Sequence, residues 1–229
     1  MSLPQNALHG ILHPEVQAHL HGLVQHDDAL LDRLEAYGRE RGFPIVGRSS
    51  GRVLELYARA IGARRVFELG SGFGFSAWFF ARAVGPEGRV YCTDRDEHER
   101  VAFRELYADH PLATRIEHHV GDALEVLATT PGEFDCIFID VMKEDYPRTV
   151  EAALPRLRRG GLLLIDNLLW GGRAARPVDL KDPAAAAVHA KDHATAGVVE
   201  ATRLLMTDPK LCAMVLPIGD GLGVALKLE

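Results

Sequence analysis

Apolar positions recur at helical spacing from about residue 14 to 62, with Leu20, Leu23, Leu30, Leu31 and Leu34 on one stripe and Val53, Leu54, Tyr57 and Ile61 on the next. Gly42-Phe43-Pro44 breaks that stretch, because glycine and proline together disfavour a continuous helix. The pattern then changes to short apolar runs alternating with helical ones. Strands are predicted over 65–69, 89–94, 115–119, 134–140 and 161–166, with helices starting at Ser76, Glu97, Ala123 and Tyr146 between them. Such alternation implies a mostly parallel sheet covered on both faces. Asp182-Pro183 reads as the cap and first position of a last helix through about Met206, taking in the helix-forming alanines 184–187. Two final runs, 212–217 and 223–228, flank Ile218-Gly219-Asp220-Gly221, whose glycines favour a tight antiparallel return. The expected fold class is α/β: a doubly wound, mostly parallel seven-stranded sheet with an antiparallel C-terminal strand and extra N-terminal helices.

A chain of 229 residues, 47% hydrophobic and 25% charged, has the composition of one globular domain. That domain is expected to span 1–229, with 1–62 a helical segment packed on or against a core over 63–229. A formal net charge of -6 gives no overall basic character to draw the chain to nucleic acid or anionic lipid. No apolar run approaches a membrane span, and the N-terminus is polar where a secretion leader needs a basic and then an apolar stretch, so a cytoplasmic protein is expected. Cys92, Cys136 and Cys212 each lie in an apolar run without CxxC spacing, which predicts three buried, reduced thiols. The five histidines between His9 and His26 fall around a helix rather than on one face and are assigned no role.

Two of the predicted strands end alike. Cys136-Ile137-Phe138-Ile139 ends in Asp140, and Leu162-Leu163-Leu164-Ile165 ends in Asp166-Asn167. Ligands of parallel sheets bind beyond the carboxyl ends of the strands, so neighbouring strands would gather three hard oxygen donors at one edge. Oxygen-only donors suit magnesium, calcium or manganese rather than zinc. The same aspartates would also serve as strand-end caps that open turns. The first strand runs into Glu68-Leu69-Gly70-Ser71-Gly72-Phe73-Gly74-Phe75-Ser76, a turn whose missing side chains let backbone amides approach a nucleotide-like ligand. NAD is disfavoured, since its fingerprint needs a third glycine where Phe75 stands. An acidic residue two positions before the first glycine suits a cationic amino-acid portion better than a pyrophosphate. Asp94, ending the second strand, can accept from ribose hydroxyls. Asp122, after the third, can meet an adenine amino group or cap the helix at Ala123.

The glycine turn, together with Phe138-Ile139-Asp140-Val141-Met142-Lys143, Asp166-Asn167-Leu168-Leu169-Trp170 and Leu216-Pro217-Ile218-Gly219-Asp220-Gly221, carries a family resemblance that runs from about Ile45 to the C-terminus. The chain resembles the cation-dependent class I O-methyltransferases, the group containing catechol and caffeoyl-CoA O-methyltransferases. The resemblance implies a Rossmann-like core and S-adenosylmethionine as methyl donor. It places Glu68, Gly70 and Ser76 around the methionine end, Asp94 on the ribose, Asp122 and Ala123 at the adenine, and Asp140 between cofactor and metal. It further implies a divalent cation on Asp140, Asp166 and Asn167, magnesium foremost with calcium or manganese as alternatives. Lys143 is implied as catalytic base, and a homodimer with the N-terminal helices as its surface. The chain departs from many members at Met142, where they carry a second aspartate, so no contact of that carboxylate is carried over.

The residues support the same chemistry on physical grounds. Methyl transfer from a sulfonium to oxygen needs an oxyanion-like nucleophile, and a phenol with a pKa of about 10 is mostly protonated at pH 7. A Lewis-acidic cation lowers that pKa while Lys143 can accept the proton, and two adjacent substrate oxygens would complete the metal shell. A small phenolic, catechol-like acceptor is therefore expected. Trp170, on a loop beside the crevice, is expected to stack on it, and the segment 170–182, with Gly171-Gly172, Arg173, Arg176 and Lys181, to set selectivity. A hydroxylated base in tRNA is the alternative acceptor, against which the acidic charge balance counts. A binding module without catalysis is disfavoured by intact Asp140, Lys143, Asp166 and Asn167.

Overall fold

Three helices precede the sheet in the computed structural model, which describes residues 13–24, 28–176 and 191–229: α1 (Pro14–Leu23), α2 (Ala29–Arg41) and α3 (Gly47–Ala60). The Asp28 carboxylate caps α2 by accepting from the Leu30 and Leu31 amides, and Gly42 ends it at φ 62°, which glycine adopts without a Cβ penalty. Leu30, Leu31 and Leu34 are buried as their stripe requires, whereas Leu20 and Leu23 on α1 are 42% and 67% exposed. The predicted stripe divides because α1 stops at Leu23 and α2 starts afresh at Ala29, so helical phase is not carried across.

The sheet follows the alternation of the sequence: β1 (Arg65–Leu69), α4 (Phe75–Ala83), β2 (Arg89–Asp94), α5 (Glu97–Tyr107), β3 (Ile116–Val120), α6 (Ala123–Thr129), β4 (Phe134–Ile139), α7 (Tyr146–Ala153), β5 (Leu157–Ile165), α8 (His193–Thr207), β6 (Leu211–Leu216) and β7 (Leu222–Lys227). The strand order is β3-β2-β1-β4-β5-β7-β6. The strands β1 to β5 pair in parallel, while β7 runs antiparallel to β5 and β6 antiparallel to β7. This is the expected doubly wound, seven-stranded architecture. One boundary differs: β5 begins at Leu157, four residues before the predicted start at 161. Arg158-Arg159-Gly160-Gly161 has turn composition, yet Leu157 pairs with Phe134 across a register shift that absorbs the irregular backbone. The predicted helix start at Asp182-Pro183 lies outside the described residues. The described helix α8 is capped by Asp192, which accepts from the Thr195 amide at 3.0 Å.

Side chains of β4 divide between two apolar layers, Cys136 and Phe138 into the one built around Leu54, Trp78 and Phe79, Ile137 and Ile139 into the one holding Phe67, Tyr146 and Leu205. Burial on both faces is why this strand reads as an uninterrupted apolar run. Cys92 and Cys136 are buried free thiols as expected, but Cys212 is exposed. It lies on edge strand β6, where Cys212 and Met214 alternate outward. Among the described residues no helix is long and apolar enough to cross a membrane.

Candidate active site

Strand order reverses between β1 and β4: β2 and β3 extend to one side, β4 and β5 to the other. Connections that diverge in this way leave a crevice at the carboxyl edge, where α/β sheets take their ligands. The two turns bordering it are nearly in contact. Gly70 has φ +84°, and a Cβ there would lie 2.1 Å from the Asp140 carbonyl oxygen, so only glycine lets the β1 turn pass the β4 turn. A cavity of about 470 Å³ occupies the crevice, and Gly70, Ser76, Asp94, Asp122, Ala123, Asp140, Lys143 and Trp170 all line it. Glu68, Asp166 and Asn167 are not on its wall. Glu68 lies wholly buried beneath the glycine turn.

The nucleotide-like half of the cavity is held by backbone bonds. Gly70 and Ser71 donate to the Thr93 carbonyl at 3.2 and 2.8 Å, and Gly72 donates to Asp94 Oδ2 at 3.0 Å. The other Asp94 oxygen accepts from the Asp96 amide at 2.9 Å, so backbone amides hold both oxygens of the carboxylate. His118 Nε2 lies 2.8 Å from the Gly72 carbonyl and braces the turn from β3. Because a carbonyl only accepts, the proton sits on Nε2. Asp122 caps α6 through the Leu124 and Glu125 amides and also accepts from Arg95 Nη2 at 2.5 Å. That Arg95 bond, before any other cause, holds its carboxyl below the usual range. Its capping role is thus realised, and it stands on the cavity wall beside Ala123 as well.

Glu68 accepts from the Ser76 hydroxyl and, at 3.3 Å, from the Cys92 thiol. Burial pushes it up to about 7 from an ordinary 4.5, against the opposing effect of those donors. A carboxyl whose folded pKa is raised contributes stability below its unfolded value and loses it as pH climbs through the folded one. In protein free of cofactor, wild type should therefore lose on the order of 3 kcal/mol relative to Glu68→Gln between about pH 4.5 and pH 7. Parallel thermal melts across that window check this; a pH-independent difference between the two proteins would contradict it.

The other half of the cavity is ionic and aromatic. The Asp140 amide donates to the Leu69 carbonyl and the Asp166 amide to the Ile139 carbonyl, which extends the ladder and brings the two strand ends side by side. Asp166 is 5% exposed. Burial first, and then the neighbouring Asp140 carboxylate, push it up to about 7. A buried carboxylate beside a second, partly exposed one is an arrangement that a bound divalent cation relieves. Among the described residues no group of three His, Cys, Asp or Glu side chains is poised for a metal. The third expected donor, the Asn167 amide oxygen, is outside that set of residue types. Lys143 Nζ donates to Asp140 Oδ1 at 2.8 Å and sits 4.9 Å from the Tyr146 ring centre and 5.7 Å from that of Trp170. Arg173 lies over the same indole at 4.2 Å.

Asn167 and Trp170 are the non-glycine residues with positive φ among those described, at 57° and 49°. Each such residue costs about 1 kcal/mol or more, so its surroundings must hold it there. Phe43, Pro44, Ile45 and Val46, between α2 and α3, and the 61% exposed Met142 also border the cavity. The sequence flags Gly42-Phe43-Pro44 as a helix break, and that break is what brings this segment to the crevice. The brace from His118 and the grip of Thr93 carry no sequence signal beyond strand alternation.

The profile of the O-methyltransferase family matches residues 26–228. The chain is 37% identical over 177 residues to the catechol O-methyltransferase of Mycobacterium tuberculosis, covering 76% of this chain and 80% of that one. Among solved structures, cofactor-bound Rv0187 from MTB superposes with a TM-score of 0.80 at 30% identity, covering 94% of this chain and 97% of that one. The O-methyltransferase TomG from Streptomyces achromogenes, in complex with SAM, superposes with a TM-score of 0.81 at 25% identity, covering 99% and 100%. With the glycine turn, the clamped Asp94 and the switch-point cavity already in place, these likenesses place the chain in the O-methyltransferase family, as an enzyme that uses S-adenosylmethionine.

Proposed function

We propose that the enzyme methylates a hydroxyl of a small catechol-like acceptor held on a divalent cation, with Asp140, Asp166 and Asn167 as the protein's donors. The observation that carries this reading is the buried Asp166 carboxylate set against Asp140, next to a lysine and an indole that border the same crevice. The oxygen-only donors fit magnesium first, and calcium or manganese by the same chemistry. The catechol O-methyltransferase relative supports the acceptor class.

When bound, S-adenosylmethionine supplies an electrophilic methyl group, and the cation supplies Lewis-acid polarisation of the acceptor hydroxyl. The remaining work falls to the chain. Gly70 and Ser76, on the cavity wall, receive the methionine end of the donor, with Glu68 behind them accepting from the Ser76 hydroxyl; Asp94 receives the ribose, and Asp122 with Ala123 the adenine. Lys143 Nζ is the group placed to take the proton of the acceptor hydroxyl, while Trp170 offers a flat wall for the ring. Phe43 to Val46 line the cavity from the N-terminal side. An acceptor needs only a ring and two adjacent oxygens to use the cation, Lys143 and Trp170.

A panel of dihydroxy and monohydroxy phenols, with bulk tRNA as a second class, assayed with magnesium and after exhaustive chelation, tests the proposal. Turnover is expected with vicinal dihydroxy phenols and should vanish on chelation, returning with added cation. Full activity in chelator, or methylation confined to tRNA, would refute it.

A further inference from the structure

The loop between β6 and β7 has no place in the chemistry above, yet it holds the segment that carries Trp170. Trp170, Gly171 and Gly172 are three successive residues of positive φ, at 49°, 60° and 77°. Gly171 and Gly172 adopt these angles without a Cβ penalty, but Trp170 does not, so its left-handed conformation has to be held by its surroundings. The clamp is Asp220. Its side-chain Oδ1 accepts from the Gly171 amide at 2.7 Å and its carbonyl accepts from the Leu169 amide at 2.9 Å. The next carbonyl, that of Gly221, accepts from Leu168 at 2.8 Å. The two backbones are so close that a Cβ on Gly221 would meet the Leu169 nitrogen at 2.7 Å. Bonds thus run to the loop on either side of Trp170, whose own amide turns back to the Asn167 carbonyl at 3.1 Å.

We infer that Asp220 is a positioning residue for the acceptor: by holding the Gly171 amide it fixes the left-handed turn that stands the Trp170 indole beside Lys143. The inference rests on the reading of Trp170 as an acceptor wall. Asp220 touches neither acceptor nor donor; it acts through Trp170. The bond needs an oxygen acceptor at that point rather than a charge, so an isosteric amide does the same work. Asp220 also adds to the negative field around Asp166, which offers a rival role through charge.

Three variants separate these roles: Asp220→Ala removes the acceptor atom, Asp220→Asn removes only the charge, and Trp170→Ala removes the wall itself. The protein has two tryptophans, and Trp78 is 0% exposed, so quenching of indole emission by acrylamide reads Trp170 against a shielded reference. Asp220→Ala is expected to raise the quenched fraction and to raise the acceptor KM about tenfold, the equivalent of one lost ring contact. The Kd for S-adenosylhomocysteine should stay within about twofold of wild type, since the turn contributes nothing to the donor half. Asp220→Asn should match wild type in quenching and in KM. If Asp220→Asn loses as much as Asp220→Ala, or if Asp220→Ala leaves quenching unchanged, the positioning role is overturned. Should Asp220→Ala fail to fold, Asp220→Asn alone decides by whether its KM and quenching are those of wild type. Quenching does not depend on what the acceptor is. A changed quench in Asp220→Ala, with the acceptor KM unchanged both there and in Trp170→Ala, would therefore sink the acceptor-wall reading and leave the clamp standing.

Discussion

Asp166→Asn should lower turnover about 10³-fold while leaving the Kd for S-adenosylhomocysteine within a few-fold of wild type. The size follows from what a Lewis-acid site contributes: several kcal/mol of stabilisation at the reacting oxygen, at roughly 1.4 kcal/mol per factor of ten. The separation of effects follows from geometry. Asp166 follows β5 beside Asp140, whereas the donor pocket proposed above lies on β1 and β2, from Gly70 to Ser76 and at Asp94. Folding should not suffer, and this makes the variant informative. In chelated wild type Asp166 is a carboxylate whose charged form is disfavoured by burial first and by the neighbouring Asp140 next, and an amide of the same shape removes both penalties. The melting temperature of chelated Asp166→Asn is expected to equal or exceed that of chelated wild type. The three readouts are turnover with saturating magnesium, calorimetry with the cofactor product, and melting in chelator. Normal turnover in the variant would remove Asp166 from the metal set. A loss of donor binding as large as the loss of turnover would assign the residue to the donor half instead.

The sheet was legible in the sequence because each central strand is buried on both faces, which leaves uninterrupted apolar runs such as Cys136-Ile137-Phe138-Ile139, and because each is bounded by polar or glycine-rich turns. The strand ends were legible for the same reason: Asp94, Asp140 and Asp166 stand where an apolar run stops. Adjacency of Asp140 and Asp166 was not, since strand order is a tertiary fact that periodicity does not encode; the parallel pairing of β4 with β5 supplies it. The start of β5 was missed because Arg158 to Gly161 has turn composition; only the pairing of Leu157 with Phe134, before the register shift, carries the strand back past it. Leu20 and Leu23 share a spacing with buried leucines and are nonetheless exposed, because periodicity holds only within one continuous helix. Cys212 sits in an apolar run but on the outermost strand, on a face left exposed among the described residues. The hold of Asp220 on the Trp170 turn connects residues about fifty positions apart. Its only trace in the sequence is the pair of glycines on either side of Asp220 and the pair following Trp170.

Lys143→Met is expected to lower turnover by about 10²-fold or more, the usual contribution of a general base, with donor affinity intact. The geometry allows a second explanation that the experiment must separate. Lys143 Nζ is 2.8 Å from Asp140 Oδ1, so its loss also strips Asp140 of a cation and could disturb the acceptor site through charge alone. Lys143→Arg distinguishes the two. A guanidinium keeps the positive charge beside Asp140 and still reaches over the Tyr146 and Trp170 rings, but it does not give up a proton in proteins and so cannot serve as a base. If Lys143 Nζ accepts the acceptor's proton, Lys143→Arg should be about as slow as Lys143→Met. If the lysine serves only to neutralise Asp140, Lys143→Arg should recover most of the rate. The acceptor's own acidity gives a further check. A catechol bearing an electron-withdrawing substituent is already largely ionised at neutral pH and has less need of a base, so the defect of Lys143→Met should shrink along a series of increasingly acidic acceptors. A defect of constant size across that series would mean that the lysine positions the acceptor rather than deprotonating it.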